Sequence, residues 1–199
     1  MTPTYHHGDL RRAVLDRAVE VIAEEGPGQF SLRSLAADLG VSHAAPRHHF
    51  GSRQGVLTAL AAEGFTLLAV ALQSARESGG DFADVGVAYV GFAVAHPSHF
   101  AVMFSPTLLD HGDAGLAAAQ ELTFAELRGG VRALEAEGRA ADPAAAVLAA
   151  WSIVHGIATL ALSGSLDASA LRTDAAEDLL ELTRRSATLL FRPDAGGPP

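Results

Sequence analysis

The hydrophobic positions of this 199-residue chain recur mostly at intervals of three and four residues, the spacing of an amphipathic helix. Strand-like alternation is scarce, and glycine, proline and serine positions separate the helical stretches. This pattern predicts an all-α fold of about nine helices: a small N-terminal group of three and a larger helical body. The predicted helices lie at about residues 10–25, 32–39, 43–49, 53–76, 82–95, 98–104, 116–137, 143–163 and 171–191.

The ends of the first three predicted helices carry residues that start and stop helices. Asp9, Ser31 and Ser42 stand where an N-cap side chain is expected, just before an apolar periodic stretch. Gly40 suits the left-handed backbone of a tight turn after the second helix. Pro46 falls in the first turn of the third helix, where a missing N–H donor costs little.

Residues 31–50, S-L-R-S-L-A-A-D-L-G-V-S-H-A-A-P-R-H-H-F, form two short predicted helices joined by Gly-Val. The second helix has too few apolar residues for a buried stripe and leaves four side chains facing outward: His43, Ala44, Arg47 and His48. Small and hydrogen-bonding side chains on an exposed helix fit base edges and phosphates, as in a helix-turn-helix. The alternative is an ordinary helical pair within a bundle, and the exposed polar face favours DNA binding over it.

The charge of the chain is divided unevenly. Its net charge of −9 argues against attraction of the whole protein to DNA or to anionic lipid. Residues 1–53 contain six arginines, six acidic residues and five of the nine histidines, so their formal charge is zero, and residues 54–199 carry the whole negative charge. A neutral head predicts modest affinity for each DNA half-site, dependence on dimerisation, and stronger binding at lower pH as histidines gain protons.

Two uncharged stretches, residues 85–109 and 144–162, reach the length of a membrane span. The first is interrupted by two prolines, the second is mostly alanine, and neither has the arginine-biased flank that sets orientation. Buried helices are therefore favoured over spans, and we expect no membrane association. The N-terminus also lacks the apolar run of a signal peptide, which predicts a cytoplasmic protein.

Metal and catalytic chemistry finds little support in the sequence. The chain has no cysteine, which excludes thiolate ligands, disulfides and cysteine nucleophiles. The histidines of residues 43–49 are not spaced to bring two imidazoles together on one helix face, and a proline separates His96 from His99. No glycine-rich phosphate loop is present. We therefore expect no metal, no cofactor and no enzymatic activity.

The ordered run L-A-A-D-L-G-V-S followed by H-F-G-S-R-Q-G-V-L resembles the TetR family of one-component repressors, over about residues 8–60. A leading Y-H-H-G-D-L and the later W-S-I-V-H-G, residues 151–156, resemble a TetR subgroup with a Trp-to-His-Gly motif in its ligand domain. The resemblance implies an all-helical chain. Its DNA-binding domain is expected at residues 1–53 and its ligand-binding and dimerisation domain at residues 54–192, before a disordered tail at 193–199.

The same resemblance implies a set of DNA-contacting residues. His43, Ala44 and His48 fall on the usual base-facing positions. Arg47 stands where the family usually has tyrosine, and its guanidinium can hold a phosphate or read a guanine. The remaining predicted contacts go to the DNA backbone: Arg33, Ser42, His49 and Arg53.

An uncharged, aromatic-rich region of the body is implied to line a pocket for a small hydrophobic or aromatic effector. Its candidate ligand-binding residues are Tyr89, Phe92, His96, Phe100, Met103, Phe104, Trp151 and His155. The alternative is that these are core residues, with His155 hydrogen-bonded across the core. The last two predicted helices carry small residues at helical spacing and leucines. This pattern predicts that they form the contact between two copies of the chain in a homodimer.

These patterns together predict a cytoplasmic, homodimeric transcription regulator. We expect a repressor of nearby genes that binds double-stranded DNA at a palindromic operator and is released by a small molecule. The rival hypothesis is a helical small-molecule-binding protein or enzyme that does not bind an operator. The neutral head and the arginine in place of tyrosine motivate this rival.

Overall fold

The computed structural model describes residues 7–29, 31–168 and 178–190, and all regular structure in these residues is helical. The all-α class predicted from the sequence is therefore confirmed. Ten α-helices and one 3-10 turn (Pro106–Leu108) follow within the described residues: α1 (His7–Glu25), α2 (Leu32–Asp38), α3 (Ala44–Phe50), α4 (Arg53–Glu77), α5 (Phe82–Ala95), α6 (Pro97–Met103), α7 (Ala114–Ala136), α8 (Pro143–Leu162), α9 (Ser165–Ala168) and α10 (Leu179–Leu190).

The predicted cap of α2 is present and is reciprocal. The Ser31 hydroxyl accepts the backbone N–H of Ser34 at 3.1 Å, and the Ser34 hydroxyl accepts the backbone N–H of Ser31 at 3.3 Å. This capping box satisfies two N–H groups at the start of a helix that would otherwise have no partner. Residue 31 therefore fixes where the first helix of the helix-turn-helix begins.

The other two predicted caps are wrong. α1 begins at His7, so Asp9 lies inside the helix and not before it. Ser42 does not cap α3, because His43 occupies the cap position and makes no side-chain cap bond. The Ser42 carbonyl accepts the Ala45 N–H at 3.0 Å, a tight turn that starts the helix one residue later than predicted.

Near the C-terminus, one helix was not predicted and another predicted helix is described only in part. α9 is a single turn that was not predicted, because four residues are too few to show a helical period. The last predicted helix starts at residue 171, but residues 169–177 lie outside the described residues. The helix is described from Leu179. The predicted disordered tail, residues 193–199, also lies outside them.

One compact unit contains Met1–Phe65 and His96–Gln120. Within it α1, α2 and α3 pack on one another, and α6 packs on α1. The Ser98 hydroxyl of α6 donates to the Val19 carbonyl of α1 at 2.9 Å, which ties α6 to α1. Its apolar centre consists of buried side chains, among them Val14, Leu15, Ala18, Leu35, Val56 and Leu60. Burial of a valine or leucine side chain stabilises a fold by about 1.5–3 kcal/mol.

The other unit contains Thr66–Ala95 and Glu121–Pro199, so α4 and α7 each contribute residues to both units. Within it α5, α8 and α10 pack on one another. Arg184 of α10 forms ion pairs with two carboxylates at the start of α5, Asp84 and, at 3.4 Å, Asp81. A separate apolar cluster joins α7 to α8 and consists of Val131, Leu134, Ala140, Ala146 and Ala150.

Two described helices, α4 and α8, are long and apolar enough to cross a membrane by length and composition. The most apolar window of α4 is 56% buried within the chain, whereas that of α8 is only 22% buried. The uncharged stretch 85–109 does not form one continuous helix, because it divides into α5 and α6 at His96. α8 therefore presents an apolar surface that its own chain covers only in part.

Candidate nucleic-acid interface

Glycine turns at both ends fix the direction of α3. Gly40 has a φ of +65°, the left-handed backbone that the sequence predicted there. The Val41 N–H donates to the Ala36 carbonyl at 3.0 Å and so closes the C-terminal end of α2. Gly51 has a φ of +71°, and its N–H donates to the Arg47 carbonyl at 2.8 Å before the chain enters α4.

α3 presents a polar face to solvent and buries little of itself. Pro46 is its one fully buried residue, and as the third residue of the helix its missing N–H removes no intrahelical hydrogen bond. The four residues that the sequence predicted to face outward are all exposed: His43, Ala44, Arg47 and His48. Donors and small side chains on an exposed helix are suited to base edges and phosphates.

An open groove of about 580 Å³ runs along α2, the start of α3 and the start of α4. The Ser52 hydroxyl accepts the Gly55 N–H at 3.1 Å and so caps α4 at the edge of this groove. Two guanidinium groups, an imidazole and a hydroxyl surround it, which gives a concentration of donors suited to phosphate oxygens. The lining residues are Leu32, Arg33, His43, Arg47, Gly51 and Ser52.

The arginines of residues 1–53 differ in their surroundings, although their charges cancel with those of the acidic residues. Carboxylates within 3.0 Å neutralise two of them: Asp16 and Glu63 pair with Arg12, and Glu20 and Asp38 pair with Arg17. In the described part of the chain, neither Arg33 nor Arg47 forms an ion pair. Uncompensated positive charge therefore lies at the groove, a feature that the summed charge of zero conceals.

The remaining arginines of this region contact neighbouring parts of the fold. The Arg11 guanidinium lies 5.3 Å from the centre of the Phe50 ring, within the range of a cation–π contact. The half-buried Arg53 side chain donates to the Pro27 carbonyl and ties the start of α4 to the turn after α1. The sequence did not predict this bond, and the phosphate contact of Arg53 stays a prediction.

Two further predicted backbone contacts, Ser42 and His49, flank the groove residues in sequence. Ser42 is exposed two residues before α3, ahead of the cap residue His43. His49 is half-buried, and its ring packs edge-on against His48 at 5.7 Å and Phe50 at 6.4 Å. Ser42 is thus accessible to a phosphate, whereas His49 also supports the packing of α3.

The eight candidate effector-binding residues fall into two groups, one in each unit. The first group lies in and beside α6, and consists of His96, Phe100, Met103 and Phe104. The Phe104 ring lies 4.9 Å from that of Phe100 and 5.6 Å from that of Phe65, and Phe100 and Met103 are buried. These contacts are those of packed core side chains, and a ligand role for this group stays a prediction.

The second group lies on α5 and α8 and consists of Tyr89, Phe92, Trp151 and His155. The Tyr89 hydroxyl lies 2.9 Å from His155 Nδ1, which is the hydrogen bond across the core that the sequence offered as an alternative. The Trp151 ring is 5.4 Å from that of His155 and 5.9 Å from that of Phe124. The sequence did not single out Phe124, because one phenylalanine on a long helix carries no distinguishing pattern.

A polar network joins α1, α4 and α6 inside the first unit. His99 is 6% exposed, and its Nε2 lies 3.2 Å from Glu63 Oε1, while Arg12 donates to Glu63 Oε2 at 2.8 Å. Burial lowers the pKa of His99 in spite of the neighbouring carboxylate. Because the carboxylate can only accept, the neutral His99 ring donates its Nε2–H.

Metal binding receives no support from this network. His96 and His99 have ring centres 5.8 Å apart, but His99 is engaged with Glu63. Among the described residues, no group of three or more His, Asp or Glu side chains is arranged to hold a metal ion.

The pH dependence of stability tests the His99–Glu63 hydrogen bond. Because the pKa of His99 is held below its ordinary value of 6.5, the unfolded chain binds more protons than the folded one below that pH. The stabilising contribution of neutral His99 is therefore present above about pH 6.5 and is lost as the pH falls further. We expect the free energy of unfolding of His99→Gln, from urea denaturation, to decline less steeply than that of wild type between about pH 7 and 5.

The control for this experiment is His48→Gln, which removes an exposed imidazole from α3. Its urea denaturation at each pH shows how far the loss of an imidazole outside the buried network changes the stability. Identical pH slopes for wild type and His99→Gln would contradict the proposed protonation state of His99.

Family comparisons cover both parts of the chain. The family model described as bacterial regulatory proteins, tetR family, matches residues 14–60. The model described as tetracyclin repressor-like, C-terminal domain, matches residues 82–184. No curated protein matches the chain significantly.

Several solved structures have this fold over nearly their whole length. A protein of unknown function from Rhodococcus sp. RHA1 is 34% identical, with a TM-score of 0.78 over 96% of this chain and 97% of that one. The TetR family transcriptional regulator PfmR from Thermus thermophilus is 22% identical, with a TM-score of 0.68 over 92% and 99%. The fatty acid degradation regulator FadR from Bacillus halodurans is 16% identical, with a TM-score of 0.71 over 93% and 96%. At these last two identities the likeness shows the fold alone.

A helix-turn-helix with an exposed second helix, followed by a larger helical body, defines a DNA-binding transcription regulator. The chain belongs to the TetR family of transcriptional regulators, since both of its parts match models of that family. The family predicted from residues 8–60 is thereby confirmed, while the Trp-to-His-Gly subgroup stays a prediction. Regulators of this family are generally DNA-binding proteins and not enzymes.

Proposed function

We propose that this regulator represses nearby genes by binding a palindromic operator through α3, and that a small hydrophobic or aromatic molecule releases it. The observation that carries the DNA-binding role is the groove along α2 and α3. There Arg33 and Arg47 face solvent and form no ion pair within the described residues. Unneutralised donors of this kind suit DNA, because contacts to phosphates supply much of the affinity for it.

The residues of α3 and its surroundings divide into two proposed roles. Base reading is assigned to the residues at the start and on the outer face of α3: His43, Ala44, Arg47 and His48. Phosphate contacts are assigned to the residues around the groove and at the helix ends: Arg33, Ser42, His49 and Arg53. The position of Arg33 on α2 supports its phosphate role, because the first helix of a helix-turn-helix crosses the DNA backbone.

A homodimer through α8 and α10 is part of this proposal. Leu148 of α8 is 62% exposed and Leu189 of α10 is 65% exposed, although both helices are otherwise packed within the body. A methyl group added at Gly156 of α8 would meet no atom within 4 Å, so this face has room for close approach of another helix. A two-fold axis there would place two copies of α3 about 34–36 Å apart on the operator.

The remaining parts of the proposal follow the division of the chain. We place DNA binding in residues 1–53, and effector binding and dimerisation in residues 54–192, with the aromatic group of α5 and α8 as the effector-binding candidate. The proposed protein is cytoplasmic, requires no cofactor and catalyses no reaction. Effector binding would shift the population of the dimer away from the spacing that fits the operator.

The proposal is tested on the intergenic DNA next to the gene that encodes this chain. The purified protein should bind a fragment of that DNA, and a reporter fused to its promoter should be expressed less when the protein is present. A promoter from an unrelated operon serves as the control. Increased reporter expression would make the protein an activator, and the absence of both binding and any reporter change would favour the rival hypothesis of a protein without an operator.

A further inference from the structure

An aromatic cluster in the second unit contains one internal chain of polar contacts. Tyr89 of α5, Phe124 of α7, and Trp151 and His155 of α8 form this cluster. Tyr89 is 6% exposed, whereas the other three side chains are only half-buried. The phenol therefore lies at the closed end of the cluster, while the Phe124, Trp151 and His155 side chains keep part of their surface exposed.

The direction of each hydrogen bond in the cluster follows from the donor inventory. Burial raises the pKa of Tyr89, and a hydrogen bond with Trp151 lowers it by a smaller amount. Because the indole can only donate, this bond runs from the indole N–H to the phenol oxygen. A phenol that accepts from the indole finds an acceptor for its own proton in His155 Nδ1, 2.9 Å away, and we assign the hydrogen bond in this direction. The proton of the neutral imidazole resides on Nε2. The cluster thus fixes one tautomer of His155 and presents an N–H donor beside two aromatic faces.

The cluster carries no formal charge near neutral pH. Burial lowers the pKa of His155 below its ordinary value and raises that of Tyr89, so both groups are uncharged. Tryptophan and phenylalanine do not ionise. A charged ligand would lose its hydration on these aromatic faces without gaining a countercharge from the cluster, which costs free energy.

We propose that this cluster recognises an uncharged aromatic effector that carries a hydrogen-bond acceptor such as a carbonyl oxygen, with Trp151 and Phe124 packing on its ring and His155 Nε2–H donating to the acceptor. The inference rests on the proposed effector response of this regulator and specifies the chemistry of the effector. On binding, the acceptor atom of the ligand takes the place of the group that His155 Nε2–H contacts in the unliganded protein. Tyr89 acts as a positioning residue, since it sets the tautomer and does not touch the ligand.

The test uses three probes of similar size, acetophenone, benzoate and benzylammonium, which carry a neutral acceptor, an anion and a cation. The chain has one tryptophan, so a single indole N–H signal in the nuclear magnetic resonance spectrum reports on Trp151. At about pH 7.5, acetophenone should shift this signal saturably, with an affinity at least about fivefold higher than either charged probe. A charged probe that binds as tightly as acetophenone, or no saturable shift with acetophenone up to its solubility, would overturn the inference.

Two variants separate recognition by His155 from general packing. His155→Phe keeps an aromatic ring but removes the donor, and should weaken acetophenone binding about fivefold to twentyfold. His155→Gln keeps both an acceptor for the Tyr89 hydroxyl and an N–H donor, and should bind acetophenone within about threefold of wild type. Circular dichroism checks that each variant is folded, and His111→Phe, in the loop after α6, controls for the added ring. Equal affinity of wild type and folded His155→Phe would refute the donor role, and if His155→Phe does not fold, the probe comparison on wild type decides.

Operator binding, measured on the same preparations, distinguishes this inference from the proposed function. If the protein binds its operator but does not discriminate among the probes, the inference fails and the repressor proposal stands. If the probes are discriminated but no operator is bound, the cluster is a ligand site of a protein without the proposed regulatory role.

Discussion

Arg47→Ala should weaken operator binding at least about tenfold. Arg47 is exposed on α3, lines the groove and forms no ion pair in the described part of the chain. A lost arginine contact to a guanine or a phosphate costs about 1–3 kcal/mol, and a dimer loses two such contacts. Fluorescence anisotropy with a labelled operator at fixed salt measures the change.

The same variant separates the two possible roles of Arg47. If Arg47 holds a phosphate, affinity should fall about equally on all sequences and the salt dependence should become shallower. If it reads a guanine, discrimination at one base pair should disappear. The matched control is Arg132→Ala, which removes an exposed arginine from α7, outside the helix-turn-helix. Equal operator affinities of Arg47→Ala, Arg132→Ala and wild type would exclude α3 as the recognition helix.

Gly55→Ala should destabilise the protein by about 3 kcal/mol or more. A Cβ atom at this position would lie 1.9 Å from the Phe50 carbonyl oxygen, and backbone atoms cannot yield as the end of a side chain can. Gly55 also donates to the Ser52 hydroxyl at the start of α4. The substitution must therefore disturb the turn between α3 and α4, and thermal and urea denaturation measure the loss.

Gly129→Ala provides the matched control for this substitution. Gly129 lies inside α7, and a Cβ added there would meet no atom within 4 Å. Because alanine is favoured over glycine inside a helix, this variant should be stabilised by about 0.5–1 kcal/mol. If Gly55→Ala is as stable as wild type while Gly129→Ala is stabilised as expected, the result would contradict the close contact between Gly55 and the Phe50 carbonyl.

Local chemistry explains why much of the helix-turn-helix was predictable. Ser31 caps α2 through contacts three residues apart, and Gly40 adopts the left-handed backbone that few other residues accept. Both signals lie entirely within a short sequence window. The exposed face of α3 was predictable for the same reason, since a seven-residue helix with one buried proline shows its polar face in the sequence.

The cap of α3 shows where local reasoning failed. Ser42 has the composition of an N-cap, but its carbonyl closes a tight turn with Ala45 and the helix starts one residue later. Such one-residue shifts depend on the geometry of the preceding turn, which composition does not determine. Asp9 was likewise predicted as a cap, but it lies inside α1 (His7–Glu25).

Long-range contacts account for the functional features that the sequence did not reveal. Glu63 and His99 are separated by 36 residues, and Tyr89 and His155 by 66, so neither pair forms a motif that a single sequence displays. The summed charge of residues 1–53 was likewise misleading. Ion pairs remove Arg12 and Arg17 from the positive charge available to DNA, and only the folded arrangement distinguishes them from the arginines of the groove.

Selection from a pool of random double-stranded DNA at low salt tests the central claim most directly. The claim is that α3 of this TetR-family chain reads a palindromic operator as part of a dimer. The purified protein should enrich an inverted repeat whose half-site centres lie about 10–10.5 base pairs, or a multiple of this, apart, and Arg47→Ala should fail to enrich the same repeat. Enrichment of no repeat by wild type, or of the same repeat with equal strength by Arg47→Ala, would contradict the account.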